Sequence, residues 1–157
     1  MGKIMDRLLV GDVGFGKTEV AFRAMFKTVI DGKQAVLIAP TTILARQHYE
    51  NLKPRLEEFG IDVALLTRLQ TSGENANTLQ RLEEGTLHLV VATHKVLSDK
   101  VKFHDLGLLV LDEEQRFGVN HKEQLKEKYP KMNVLTLSAT PIPRTLNMAL
   151  TGIRDIS

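Results

Sequence analysis

A short apolar run, Arg7-Leu8-Leu9-Val10, leads straight into the glycine-rich stretch Gly11-Asp12-Val13-Gly14-Phe15-Gly16-Lys17-Thr18, and an amphipathic stretch with helical spacing follows at once. Strand, glycine turn and helix in that order leave few folds open. The helix must pack back over the strand it leaves, so the next strand lies parallel to the first. The same alternation recurs along the chain, with strand candidates at Ala35–Ala39, Val63–Thr67, Leu87–Ala92, Leu108–Leu111 and Val134–Ser138. None shows clean polar alternation, as expected of parallel strands with both faces covered.

Between these runs, Lys17–Ile30 predicts a helix with Val20, Ala21, Ala24, Met25 and Thr28 on one side and Asp31-Gly32 as its stop. Thr42–Phe59 predicts a second, bent or broken at Pro54 and closed by Gly60. Shorter helices are expected at Thr78–Glu84 and Lys122–Lys128, and Pro143 opens a last one toward Leu150. The polar stretch Gln70–Asn77 reads as a surface loop. The expectation is one α/β domain over residues 1–157: an open, mostly parallel sheet with helices on both faces.

Composition narrows the function classes. With 157 residues and 43% hydrophobic content, the chain can bury a substantial core, and with no cysteine it has neither disulfides nor thiolate metal ligands. No apolar run approaches the roughly 18 to 20 residues that span a bilayer. The N-terminus lacks the pattern of a signal peptide. A cytoplasmic protein with no membrane partner is expected. The net charge of +2 permits a polyanionic partner without predicting one.

The stretch Gly11–Thr18 matches GxxxxGK[ST] in full, in the strand-to-helix context that the chemistry requires. Glycines let the backbone curl so that successive N–H groups face phosphate oxygens, and the helix N-terminus adds partial positive charge. In this reading Gly11, Asp12, Val13, Gly14, Phe15, Gly16, Lys17 and Thr18 bind the phosphates of ATP. Lys17 neutralises the β/γ oxygens and the Thr18 hydroxyl ligates Mg2+. The plainer alternative is a glycine-rich turn without a ligand.

Phosphoryl transfer needs a second, acidic site for the metal and the attacking water. Leu108-Leu109-Val110-Leu111-Asp112-Glu113 supplies one, since an apolar strand delivers two carboxylates at its C-terminal end, where open α/β sheets bind ligands. Asp112 is the expected Mg2+ holder, through water, and Glu113 the residue that orients or deprotonates the attacking water. Alone, two acids after a strand are more often an exposed turn. His48, His88, His104 and His121 show no ligand spacing and are read as surface or core residues with no metal role.

Gly11–Thr18, Asp112-Glu113-Glu114-Gln115-Arg116-Phe117-Gly118-Val119 and Ser138-Ala139-Thr140-Pro141-Ile142-Pro143-Arg144-Thr145-Leu146 resemble motifs I, II and III of the superfamily 2 DNA translocases. Within them the chain looks nearest to the bacterial transcription-repair coupling factors. RecG helicases, the neighbouring branch, are expected to carry Gln at position 114 and His at 116. The resemblance covers nearly the whole chain and implies a P-loop NTPase fold, the first RecA-like lobe of an ATP hydrolase that moves on double-stranded DNA. It implies a coupling role for Gln115, Ser138 and Thr140, where the plainer reading is a strand exit capped by hydroxyls. Pro40-Thr41-Thr42-Ile43-Leu44-Ala45 resembles motif Ia and Ala92-Thr93-His94-Lys95-Val96-Leu97 the motif after it. By resemblance Thr41, Thr42, Thr93, His94 and Lys95 line a DNA strand; without it, Thr41, Thr42, His94 and Lys95 read as helix caps and solvated surface.

The resemblance also implies partners outside this chain: a second RecA-like lobe with an arginine finger, and RNA polymerase through further domains. The lobe alone is then expected to bind nucleotide and hydrolyse it poorly. Two rival functions stay open on the residues alone, a RecG-like fork-remodelling lobe and a non-catalytic nucleotide- or DNA-binding module. A phosphotransferase has no natural place for the Ser138–Leu146 segment.

Overall fold

The computed structural model describes residues 7–10, 14–94, 101–113 and 119–138, with backbone alone at 7–10, 14–18, 119 and 138. Its elements in chain order are β1 (Arg7–Val10), α1 (Gly14–Ile30), β2 (Gln34–Ala39), α2 (Thr42–Glu57), β3 (Val63–Leu66), α3 (Ser72–Glu84), β4 (Leu89–Thr93), β5 (Leu106–Asp112), α4 (Val119–Lys128) and β6 (Asn133–Ser138). The strands form one six-stranded sheet in the order β1-β6-β5-β2-β4-β3, and every pairing is parallel.

Strand alternation sorts the core into two layers. Ala35, Leu37 and Ala39 of β2 share one face with Leu108 and Val110 of β5, and there they meet Ala21, Phe22 and Met25 of α1 and Ala45, Leu52 and Leu56 of α2. Val36 and Ile38 face the other way with Leu109 and Leu111, against Leu82 of α3 and Leu125 of α4. The chain runs outward from β1 to β2 to β3 through α1 and α2, then returns through α3 and α4. Right-handed crossovers put helices of the outward and returning paths on opposite faces, as observed.

The apolar runs predicted as strands all form strands, with ends shifted by one or two residues. β5 starts earlier than expected because Gly107 is accommodated as an irregularity: Gln34 pairs with Leu106 and Ala35 with Leu108. α2 is not broken at Pro54 but runs through it to Glu57, and Gly60 follows with φ 73°. The proline forgoes one donor, to the carbonyl of the exposed Glu50, which water can satisfy. The helix expected at Pro143–Leu150 lies outside the described residues.

The expected loop at Gln70–Asn77 is corrected. Ser72 to Asn77 are the first half of α3. A reciprocal capping box holds this end: Thr71 Oγ1 accepts from Glu74 N at 3.0 Å, and Glu74 Oε1 accepts from Thr71 N at 2.9 Å. Two satisfied donors outweigh the low helix propensity of Ser72, Gly73, Asn75 and Asn77. The Asn75 amide also donates to the Thr67 carbonyl at 2.9 Å, tying the helix to the end of β3.

At the opposite edge of the sheet from the strand C-termini, one buried side chain joins three segments. Gln34, 1% exposed, donates from Nε2 to the carbonyls of Leu82 (2.9 Å) and Leu87 (2.8 Å), and its Oε1 accepts from Asp105 N at 2.7 Å. Gln34→Leu removes all three bonds at nearly equal volume and is expected to cost about 2–4 kcal/mol in urea unfolding. Thr71→Ala is expected to cost about 1 kcal/mol through loss of the α3 cap, measured the same way.

Candidate functional site

The register of the sheet sets the geometry at its C-terminal edge. Val10 pairs with Ser138 and Leu137 with Asp112, so the ends of β1, β6 and β5 stand side by side. Two strand spacings separate the end of β1 from Asp112, roughly 10 Å. α1 begins at Gly14, four residues after Val10, with no acidic residue in its first turn. Its first backbone N–H groups have no acceptor within the helix. Gly14, Phe15, Gly16, Lys17 and Thr18 therefore contribute the backbone of a helix N-terminus on the face that Asp112 also shares. Gly11, Asp12 and Val13, and the side chains of Lys17 and Thr18, lie outside the described residues.

Asp112 continues the alternation of Leu108 and Val110 and faces the α1/α2 layer. It is 5% exposed. Its Oδ2 lies 2.9 Å from Nε2 of His48, itself 9% exposed. His48 occupies the buried stripe of α2 with Ala45, Leu52 and Leu56, at the spacing that places residues on one helix face. Glu113 follows with φ 66°, in the left-handed region, and its N–H donates to the Leu137 carbonyl at 2.9 Å. A glutamate held there costs about 1–2 kcal/mol relative to ordinary backbone.

The other candidate residues cluster on the other half of the same edge. Thr41 is the N-cap of α2, its Oγ1 accepting from Leu44 N at 3.1 Å, and Thr42 is the first residue of that helix. Thr93 ends β4, buried, and pairs with Ala39 at the end of β2; His94 follows it, half-buried. Lys95, Gln115 and Thr140 lie outside the described residues, and Ser138 is placed by its backbone alone. The edge thus divides into β1-β6-β5, carrying the nucleotide candidates, and β2-β4-β3, whose β2 and β4 ends carry the DNA candidates. His48 and Asp112 bridge the two halves. That contact is the feature of the candidate site that the sequence reading missed, since His48 stands 64 residues from Asp112 and has no local ligand spacing.

The donor chemistry fits Mg2+. This ion keeps several waters and takes one or two carboxylates together with substrate phosphates. One buried, hydrogen-bonded carboxylate at a strand end suits that mode. A dedicated protein cage is not seen: among the described residues no group of three or more His, Cys, Asp or Glu converges. No helix among them is long and apolar enough to cross a membrane.

Comparison with known proteins agrees with this geometry. The family model for DEAD/DEAH box helicases matches residues 2–149. The chain is 56% identical over 153 residues to a transcription-repair-coupling factor of Bacillus subtilis and 55% identical to that of Staphylococcus aureus, covering 98% of this chain and 13% of each relative. Among solved structures, RecG bound to a three-way DNA junction superposes with a TM-score of 0.79 at 39% identity, over 98% of this chain and 20% of that one. The E. coli DEAD-box protein SrmB shares the fold, with a TM-score of 0.58 at 16% identity over 87% of this chain and 78% of that one. The chain belongs to the DEAD/DEAH box helicase family.

Proposed function

We propose that this chain is the ATP-binding, RecA-like lobe of a translocase that couples ATP hydrolysis to movement on double-stranded DNA in transcription-coupled repair. The observation that carries the reading is the pair Asp112-Glu113. A buried carboxylate ends β5 two strands from the glycine-rich loop, and the next residue is a glutamate in a conformation that glycine or asparagine would adopt at less cost. Retained strain of this kind fits a residue kept for chemistry rather than for the turn.

In the proposed mechanism the backbone N–H groups from Gly11 to Thr18 hold the phosphates and Lys17 neutralises the β/γ oxygens. Asp112, through water, and the Thr18 hydroxyl would hold Mg2+, which would supply positive charge to the phosphates. Glu113 orients or deprotonates the attacking water. Ser138, at the end of β6 between β1 and β5, belongs in this proposal with Gln115 and Thr140 to a segment that relays nucleotide state toward Thr41, Thr42, Thr93, His94 and Lys95. Loops after parallel strands can offer N–H groups, hydroxyls and a cation to a DNA backbone without reading bases.

The chain spans 13% of the length of the coupling factors it matches. A second RecA-like lobe with its arginine finger, and contact with RNA polymerase through other domains, belong to the longer protein in this proposal. An absent finger lowers turnover by about 10³- to 10⁵-fold, so the 157-residue chain is expected to hydrolyse ATP slowly. Glu113→Gln, placed in a protein that contains both lobes, is expected to retain nucleotide binding and lose DNA-stimulated phosphate release. Unchanged phosphate release would instead fit a non-catalytic module.

A further inference from the structure

Asp112 is the residue on which the acidic half of the proposed site depends, and the orientation of its carboxylate decides what it can hold. The strand is apolar from Leu106 to Leu111 and its backbone is engaged by β2 and β6 on either side. From the α1/α2 layer His48 reaches that carboxylate at 2.9 Å, a contact between two buried groups made from the helix face that also carries Ala45, Leu52 and Leu56. A leucine there would extend the core, whereas an imidazole spends a buried position on a polar contact. With Asp112 ionised the carboxylate only accepts, so Nε2 carries the hydrogen and donates it.

We propose that His48 is a positioning residue for the metal site: its Nε2–H holds Asp112 Oδ2 and so sets the orientation in which the carboxylate meets the hydrated Mg2+. The inference rests on the reading of Asp112 as the Mg2+ holder. Groups one step removed from a metal act by orienting the ligand, and their loss typically weakens metal affinity by about 10- to 100-fold. His48 acts here without touching nucleotide or metal. Because it is carried by α2, it also ties that helix, and the Thr41-Thr42 end from which it starts, to the nucleotide half of the edge.

Three substitutions separate positioning from packing. The side-chain amide of glutamine reaches about as far as Nε2 of histidine and keeps the donor; that of asparagine is a carbon shorter; methionine fills the volume without a donor. The measurement is the Mg2+ concentration that half-saturates binding of a fluorescent ATP analogue to the 157-residue chain, alongside binding in EDTA and urea stability. His48→Gln is expected to stay within about threefold of the parent, whereas His48→Asn and His48→Met need about tenfold more Mg2+ or beyond, with unchanged binding in EDTA. Equal Mg2+ dependence in all four proteins overturns the positioning role. So does an equal loss in all three variants, or a loss that tracks stability instead of donor reach. A parent that binds no nucleotide at any Mg2+ concentration removes the proposed function itself, and the role of His48 with it.

Discussion

A carboxylate at the end of a fully buried strand is tolerated only where its charge is met, because an unpartnered buried ion costs several kcal/mol. Asp112 is that group, and the architecture around it follows from the need to keep it in place. β5 is flanked by β2 and β6 in parallel register, α2 brings His48 to its carboxylate, and the chain turns immediately at Glu113. Parallel pairing makes all strand ends emerge on one edge. The crossover directions then set the two halves of that edge side by side, with β5 and β2 at the boundary.

The proposed division of labour across this edge has a simple physical basis. On the β1-β6-β5 side, the chain offers a helix N-terminus and a carboxylate, complementary to phosphate and a hydrated cation. On the β2-β4-β3 side, the candidate residues are hydroxyls and an imidazole at the ends of β2 and β4, suited to a polyanion backbone rather than to base edges. Since packed cores switch between discrete arrangements rather than bend continuously, a bonded contact across the boundary is an efficient place to join the two. Arg55 ties α1 to α2, paired with Glu19 at 3.0 Å and stacked 3.8 Å over the Phe22 ring. The neighbouring Arg23, hydrogen-bonded to the same Glu19, is the larger cause of that carboxyl's lowered pKa, followed by Arg55.

Much of this was legible in the chain because burial on both faces writes itself as uninterrupted Val, Leu and Ile runs. Those runs located all six strands. Gly107 hid the start of β5, since a glycine ahead of Leu108 reads as a boundary when the sheet in fact absorbs it as an irregularity. Polarity misled at α3, where Thr71-Ser72-Gly73-Glu74 carried a capping-box signature that outweighed its turn-prone composition. Pro54 misled in the opposite sense, because packing of Leu52 and Leu56 holds α2 together on both sides of it. The acidic pair was legible from its place after an apolar strand. The His48 contact was not, because it depends on how a helix lies across the sheet and no local spacing encodes that.

The central claim is that Gly11–Thr18 and Asp112-Glu113 form one nucleotide site, whose phosphate half rests on Lys17. Titration of a fluorescent ATP analogue into the parent chain and into Lys17→Ala, at saturating Mg2+, tests it most directly. Saturable binding by the parent, with affinity reduced by about tenfold or more in the variant, is predicted from loss of a charge-assisted phosphate contact. Indistinguishable curves for the two proteins would contradict the account.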